Sequence, residues 1–301
     1  MAKTKKDIIE EEIQSVYIDP LTDFGFKKIF LNRELLTNFL NDVIGTNIKE
    51  VQYRPTEALG EYIGERTAIF DLLCTTDKGE YFVVEMQLGK QTYFKDRALF
   101  YASHVIRKQA PRGKNWNFNL KAVYIVAILD FVTFTEKNAK DEVVERVYLY
   151  REKAQTRFSE KLTMIFVELP KFTKQASELE NNTETWLYLL RHTCELNACP
   201  PEITGKIFKQ FLEIAEIKHL TPKDMETYRR SLKQSYQMRD IVNCAKMESK
   251  LEGKMEGILE GEVKASRQIA MRLLQKNMPV DEIVFLTNLD RAQIQDLLKE
   301  K

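Results

Sequence analysis

Two short apolar runs, each holding one carboxylate, constrain this chain more than any other feature: Ile69-Phe70-Asp71-Leu72-Leu73 and Val83-Val84-Glu85-Met86-Gln87-Leu88. A carboxylate inside an apolar strand is costly unless it is paired, hydrogen-bonded or bound to a cation. Between the runs stands Thr76-Asp77-Lys78-Gly79, whose Asp and Gly suit a tight connection between β-rich segments. The pattern predicts a hairpin of strands at 66–75 and 80–88. If Thr76 and Glu80 close a three-residue loop, Asp71 falls opposite Glu85, with their Cβ atoms about 4.5–5.5 Å apart. Gln87, two residues on, shares the face of Glu85. On this register Ile69, Leu73 and Val83 join the carboxylates on one face, and Phe70, Leu72, Cys74, Phe82, Val84 and Met86 form the other. Facing carboxylates repel unless a divalent cation lies between them, and an all-oxygen ligand set suits Mg²⁺ or Mn²⁺. From the residues alone, a solvent-facing acid pair on an edge hairpin is the competing arrangement. The apolar neighbours Ile69, Leu73 and Val83 argue against it.

The flanking segments predict an α/β core. Asn32 is a candidate N-cap for a helix carrying Leu35, Leu36, Phe39, Leu40, Val43 and Ile44 at helical spacing, and Gly45 ends it. The segment from Asp19 to Phe30 mixes turn formers with aromatics and predicts a turn entering a short helix. A short strand is expected at 51–53 and a helix at 92–109 that stops before Pro111. The run at 122–129 is almost continuously apolar, as in a strand buried on both faces. Strands at 143–150 and 162–169 follow, and the texture after Gln175 is helical. The expected organisation is a loose tail at 1–15, an α/β domain at 16–175, a helical region at 176–245, and a glycine-bearing helix with a small helical cap at 246–301.

Charge and cysteine usage narrow the chemistry. Lys plus Arg number 46 against 45 for Asp plus Glu, so any nucleic-acid surface must be local. Lys95, Arg97, Arg107, Lys108, Arg112 and Lys114 bias one segment positive, either as phosphate contacts or as an ordinary helix surface. Trp116 and Phe118 either stack on bases or belong to the core. His192, Cys194 and Cys199 lie close together but match no zinc-finger spacing and lack a fourth ligand. With no CxxC pair and no signal-like segment, the four cysteines are expected to be reduced and the protein cytoplasmic. No apolar run approaches the ~20 residues of a membrane span. In the tail, Gly253, Gly257 and Gly261 recur every four residues, which suits either a self-association helix or a flexible linker. The three short helical segments beyond them suit a cap better than a DNA-binding helix-turn-helix, because the stretch is not clearly basic.

Taken in order, Asp71, a hairpin and Glu85-Met86-Gln87 resemble the D…ExK signature of the PD-(D/E)XK nucleases, with Gln in place of Lys. The longer set, Asp23-Phe24-Gly25-Phe26-Lys27-Lys28-Ile29-Phe30, Phe70-Asp71, Glu85-Met86-Gln87, Arg97 and Tyr101, is similar to the Rpn recombination-promoting nucleases, also called PD-(D/E)XK family transposases. The resemblance covers about residues 16–175 and implies a restriction-endonuclease-like four-stranded mixed sheet flanked by helices. It implies Mg²⁺-dependent cleavage of DNA, with Mn²⁺ as a substitute, in recombination, mobile-element movement or defence. Asp71 and Glu85 would be metal ligands, and Gln87 would occupy the position of the usual lysine. Lys90 or Lys95 would then supply a displaced positive charge, and Glu34, Asp42 or Glu57 an additional acid. The alternative expectation is a catalytically weak nuclease fold acting as a DNA-binding or assembly module. Homo-oligomers would form through the C-terminal helices.

Overall fold

The sheet is laid out by strands whose side chains are apolar on both faces. The computed structural model describes residues 15–58, 68–90, 93–111, 116–136 and 141–299. In chain order, α1 (Asp23–Phe30) and α2 (Arg33–Ile44) precede β1 (Val51–Tyr53), β2 (Glu57–Ala58), β3 (Ala68–Ile69), β4 (Leu72–Thr76) and β5 (Tyr81–Gln87). Then come α3 (Phe94–Lys108), β6 (Val123–Leu129), β7 (Val144–Tyr148), β8 (Tyr150–Arg151), β9 (Thr156–Arg157) and β10 (Leu162–Glu168). The helices α4 (Asn182–His192), α5 (Lys206–Ala215), α6 (Pro222–Gln275), α7 (Val280–Thr287) and α8 (Arg291–Lys299) complete the chain.

Six strands form one mixed sheet in the order β1-β4-β5-β6-β10-β7, where the resemblance implied four. The difference lies at the edges. β1 adds antiparallel to β4, and β7 adds antiparallel to β10, so neither inner edge is left unpaired. At the centre β5 and β10 both run parallel to β6. As its composition requires, β6 is covered on both sides: Val126 and Ile128 enter one core, and Val123, Ile125, Ala127 and Leu129 the other.

The larger core lies between the sheet and α1, α2, α4 and α5, with Trp186 buried among Phe30, Phe39, Phe208 and Phe211. Tyr228 and Leu232 from the start of α6 belong to the same core, so residues 176–239 share the hydrophobic centre of the sheet. The smaller core is roofed by α3 through Phe94, Ala98, Ala102 and Val105.

Helix ends follow the sequence closely. The Asn32 side chain accepts from the Glu34 and Leu35 N–H groups, and Gly45 stops α2 in the left-handed region at φ 74°. The start of α1 is tighter. Thr22 caps it by accepting from Gly25 N at 3.0 Å, and a Cβ on Gly25 would stand 2.1 Å from the Asp19 carbonyl oxygen. Only glycine fits there.

The chain separates into two compact units, Met1–Arg239 and Asp240–Lys301, with α6 contributing to both. In the second, Ala270, Leu274, Ile283, Leu289, Ile294 and Leu297 bury one another. Its turns use Asn277 and Asn288 at positive φ. The glycine segment is helical. Apart from the helix's own backbone and the chain neighbours, no atom of the described residues lies within 4 Å of a Cβ built at Gly253, Gly257 or Gly261.

Candidate active site at the carboxyl end of the central strands

The hairpin turn fixes the register. Thr76 N donates to Glu80 O at 2.9 Å, and Gly79 adopts φ 77°. Leu72 then pairs with Val84, Leu73 with Val83 and Cys74 with Phe82. Extended by one step, the same register sets Asp71 opposite Glu85, as the loop length predicts.

One local expectation is corrected. Of the strand expected at 66–75, residues 66 and 67 lie outside the described residues, and 68–75 do not form one continuous strand. β3 pairs with β2, Ile69 opposite Glu57, and the chain bends at Phe70–Asp71 before β4 begins. The bend breaks the alternation. Phe70 turns into the core under α3 with Leu73 and Val83, not onto the face of Leu72, while Ile69 is 61% exposed. Its physical effect is to place the Asp71 side chain at a sheet end, where it meets the backbone of the neighbouring strand.

The two carboxylates are tied to each other's strands. Met86 N donates to Asp71 Oδ2 at 2.8 Å, and Asp71 N donates to Glu85 Oε1 at 3.1 Å. The second Glu85 oxygen, Oε2, accepts from Gln87 Nε2 at 3.3 Å and lies 3.5 Å from Arg97 Nη2. Glu85 is 2% exposed and Asp71 is partly buried. Burial pushes the Glu85 carboxyl up to about 8, and the negative charge of Asp71 adds to that. Burial also raises Asp71, against the opposing pull of the Met86 N–H, Lys27 and Arg97. Each acid is therefore held above the usual carboxylate range, the condition in which a cation is most strongly favoured.

Arg97 is positioned by aromatic faces. Its guanidinium carbon lies 5.2 Å from the Phe94 ring centroid and 5.4 Å from that of Tyr101, which itself meets Phe70 edge-on at 5.0 Å. This is the cation that reaches Glu85. Lys95 is instead held over the Phe134 ring, 4.4 Å from its centroid. Lys90 stands beyond the end of β5 with no contact to either carboxylate among the described residues.

Neither Glu34 nor Asp42 reaches the pair. Glu34 is exposed at the first turn of α2. Asp42 is a structural acceptor, bonded by Trp186 Nε1 at 2.7 Å and Asn182 Nδ2 at 3.3 Å. Glu57 pairs through its backbone, and its side chain lies outside the described residues. Besides Arg97, the charges that act on Asp71 come from α1: Lys27 lowers its pKa and Asp23 raises it, the two joined by a 2.7 Å ion pair. Their i,i+4 spacing within Asp23-Phe24-Gly25-Phe26-Lys27 was the available signal.

Other candidates lie elsewhere. Arg107 and Lys108 sit at the far end of α3, about 15 Å along its axis from Arg97. Trp116 and Phe118 pack at a tilt, with ring centroids 4.8 Å apart, before the start of β6, at the opposite end of the sheet from Glu85. Arg112 and Lys114 lie outside the described residues. His192 bonds Glu195 at 3.0 Å and the Cys199 thiol faces the Pro200 and Ile203 carbonyls, so no zinc set forms there. No group of three or more His, Cys, Asp or Glu side chains among the described residues converges as a metal cluster. Two carboxylate oxygens alone fit a small divalent ion that keeps waters and takes substrate phosphate as its remaining ligands. Among the described residues no helix is long and apolar enough to cross a membrane.

A sequence model of the family described as PD-(D/E)XK nuclease family transposase matches residues 20–245, which include all of the elements above up to the first half of α6. No curated protein and no solved structure matches the chain.

Proposed function

This chain belongs to the PD-(D/E)XK nuclease family transposases, and from that premise we propose that it is a divalent-metal-dependent DNA endonuclease hydrolysing phosphodiester bonds. The observation that carries the proposal is the meeting of Asp71 and Glu85 at one sheet end, both with raised pKa values and with Arg97 beside them. Asp71 and Glu85 would hold Mg²⁺, with Mn²⁺ as a substitute. The chemistry such an ion supplies when bound is polarisation of a phosphoryl oxygen and acidification of a water. The protein's own groups orient and balance charge. Arg97 and Lys27 provide positive potential beside the carboxylates for an approaching phosphate. The Gln87 amide fixes Glu85 by donating to its Oε2 at 3.3 Å. Burial of Glu85 under α3 keeps its immediate surroundings dry, which strengthens each of these interactions.

The test is cleavage of supercoiled plasmid in Mg²⁺, in Mn²⁺ and in EDTA, with Asp71→Ala prepared in parallel. Metal-dependent nicking lost in the variant supports the proposal. Equal cleavage by both proteins overturns it. One observation favours a second reading, a nuclease fold that binds or assembles on DNA with weak chemistry: the position of the usual lysine holds a neutral amide turned toward Glu85. Metal-independent DNA binding without nicking would select that reading. In either case the proposed setting is cytoplasmic DNA recombination, mobile-element movement or defence.

A further inference from the structure

A cleft of about 330 Å³ opens at the start of α3, lined among the described residues by Lys90, Tyr93, Phe94, Lys95, Phe131 and Thr133. It adjoins the site through a shared wall: the Phe94 ring that borders the cleft also supports Arg97, whose guanidinium lies 3.5 Å from Glu85. Its volume is at the low end for ligand-sized pockets, roughly 300–1,000 Å³. That is room for one nucleotide and not for a stacked base pair.

The lining is chemically divided. Phe94 and Phe131 form an aromatic floor, packed edge-to-face with centroids 6.0 Å apart. The Tyr93 ring is 74% exposed, an uncommon placement for an aromatic that covers no core. Lys90 and Lys95 bring two cations against the single exposed acid Asp96. The Thr133 hydroxyl is buried behind the cleft wall, with no hydrogen-bond partner among the described residues. One exposed aromatic face for a base and two lysines for a phosphate make a site for a nucleoside phosphate unit.

We propose that this cleft binds a single unstacked nucleotide of the DNA strand next to the bond being cut, with its base on Tyr93 and its phosphate between Lys90 and Lys95. The inference rests on the nuclease reading for the identity of the strand. Its consequence is a preference for frayed, looped or single-stranded DNA, since withdrawing a base from a duplex stack carries an unstacking cost that such DNA does not incur.

The test uses the full-length protein and binding in EDTA, so that it stands apart from catalysis. Affinity for a single-stranded oligonucleotide is measured for the wild type, Tyr93→Ala, Tyr93→Phe and the Lys90→Ala/Lys95→Ala pair, with an abasic site moved through each position of the oligonucleotide. Because Tyr93 and both lysines are exposed, the folded chain tolerates these changes, and circular dichroism verifies it. Tyr93→Ala is expected to weaken binding about tenfold, within the range for loss of one base stack. Tyr93→Phe is expected to retain it. One abasic position should weaken wild-type binding by a similar factor and Tyr93→Ala no further, the non-additivity of a direct contact. Additive effects at every position, or wild-type affinity in Tyr93→Ala, overturn the proposal. Displacement of the oligonucleotide by free dAMP at comparable concentration assigns the cleft to a free nucleotide and also overturns it. Failure of plasmid cleavage with the non-additivity intact sinks the nuclease reading and leaves the cleft assignment standing; the converse result sinks only the cleft.

Discussion

Replacing Glu85 with Gln removes a charge from a position that is 2% exposed and leaves the side-chain volume almost unchanged. In the metal-free protein the Glu85 carboxyl is pushed up to about 8 from an ordinary value of 4.5. The folded state therefore binds a proton more tightly than the unfolded chain. The stabilisation is fully present below about 4.5, where both states are protonated. It is lost as pH rises toward about 8, because folding then requires either burial of an ion or uptake of a proton. The full effect is a few kcal/mol, since each tenfold gain in proton affinity corresponds to about 1.4 kcal/mol and relaxation around a buried pair reduces the total. Glu85→Gln should have no such dependence. In EDTA its urea midpoint should equal that of the wild type near pH 5 and exceed it at pH 8, by several degrees in an equivalent thermal melt. Asp19, whose carboxyl is also raised by burial, contributes the same slope in both proteins and cancels, whereas Asp71 is electrostatically linked to Glu85, so the difference between the two curves reports the Asp71–Glu85 pair. Saturating Mg²⁺ should restore wild-type stability at pH 8 and leave the variant unaffected. Parallel curves across pH 5–8 would rule this account out, because they would mean that Glu85 is solvated or already fully compensated.

Asp71→Ala should lower single-turnover cleavage of duplex DNA in Mg²⁺ by about a thousandfold or more, while binding in Ca²⁺ changes little; a matching loss of affinity would show that Asp71 acts in binding. Gln87→Lys should preserve or raise the cleavage rate by placing a cation where the superfamily pattern has one, and a fall of tenfold or more would indicate that the Gln87–Glu85 bond is required. Gly25→Ala should destabilise the first unit by about 2 kcal/mol or more, because its Cβ would overlap the Asp19 carbonyl; an unchanged denaturant midpoint would mean that the start of α1 yields freely. Truncation before Lys250 should reduce the mass seen by light scattering if the segment with Gly253, Gly257 and Gly261 associates with a second copy, and an unchanged mass would assign those glycines no part in assembly.

The parts of the fold written in local patterns were legible. Asn32 and Gly45 bound α2 at the residues that capping rules select, the apolar run of β6 is buried on both faces, and the Thr76–Glu80 closure sets the hairpin register. What the pattern could not carry was the bend at Phe70–Asp71. Alternation assigns faces only while a strand stays paired with the same neighbour, and here β3, which pairs with β2, ends two residues before Asp71. The extra edge strands β1 and β7 were visible as short segments, but nothing local says which edge a strand of three or five residues will join.

The candidate charges that stand away from the pair share one cause. Sequence proximity offered Lys90 and Lys95, soon after Leu88, and the helix after a clear N-cap offered Glu34 and Asp42. Whether a charge acts on a buried carboxylate depends on where the intervening chain returns. The first turn of α3 brings Arg97 back over Phe94 toward the end of β5, while Lys95 faces Phe134. Residues two apart on a helix point about 200° apart, so no helix could deliver both to one carboxylate. Similarly, α1 rather than α2 sends its charges to Asp71, because the close contact of Gly25 with Asp19 sets where α1 begins and hence where Lys27 sits one turn later. The glycine of Asp23-Phe24-Gly25-Phe26-Lys27 and the electrostatics of Asp71 are thus one feature. A substitution that moves the start of α1 should alter the Asp71 carboxyl without touching either site acid.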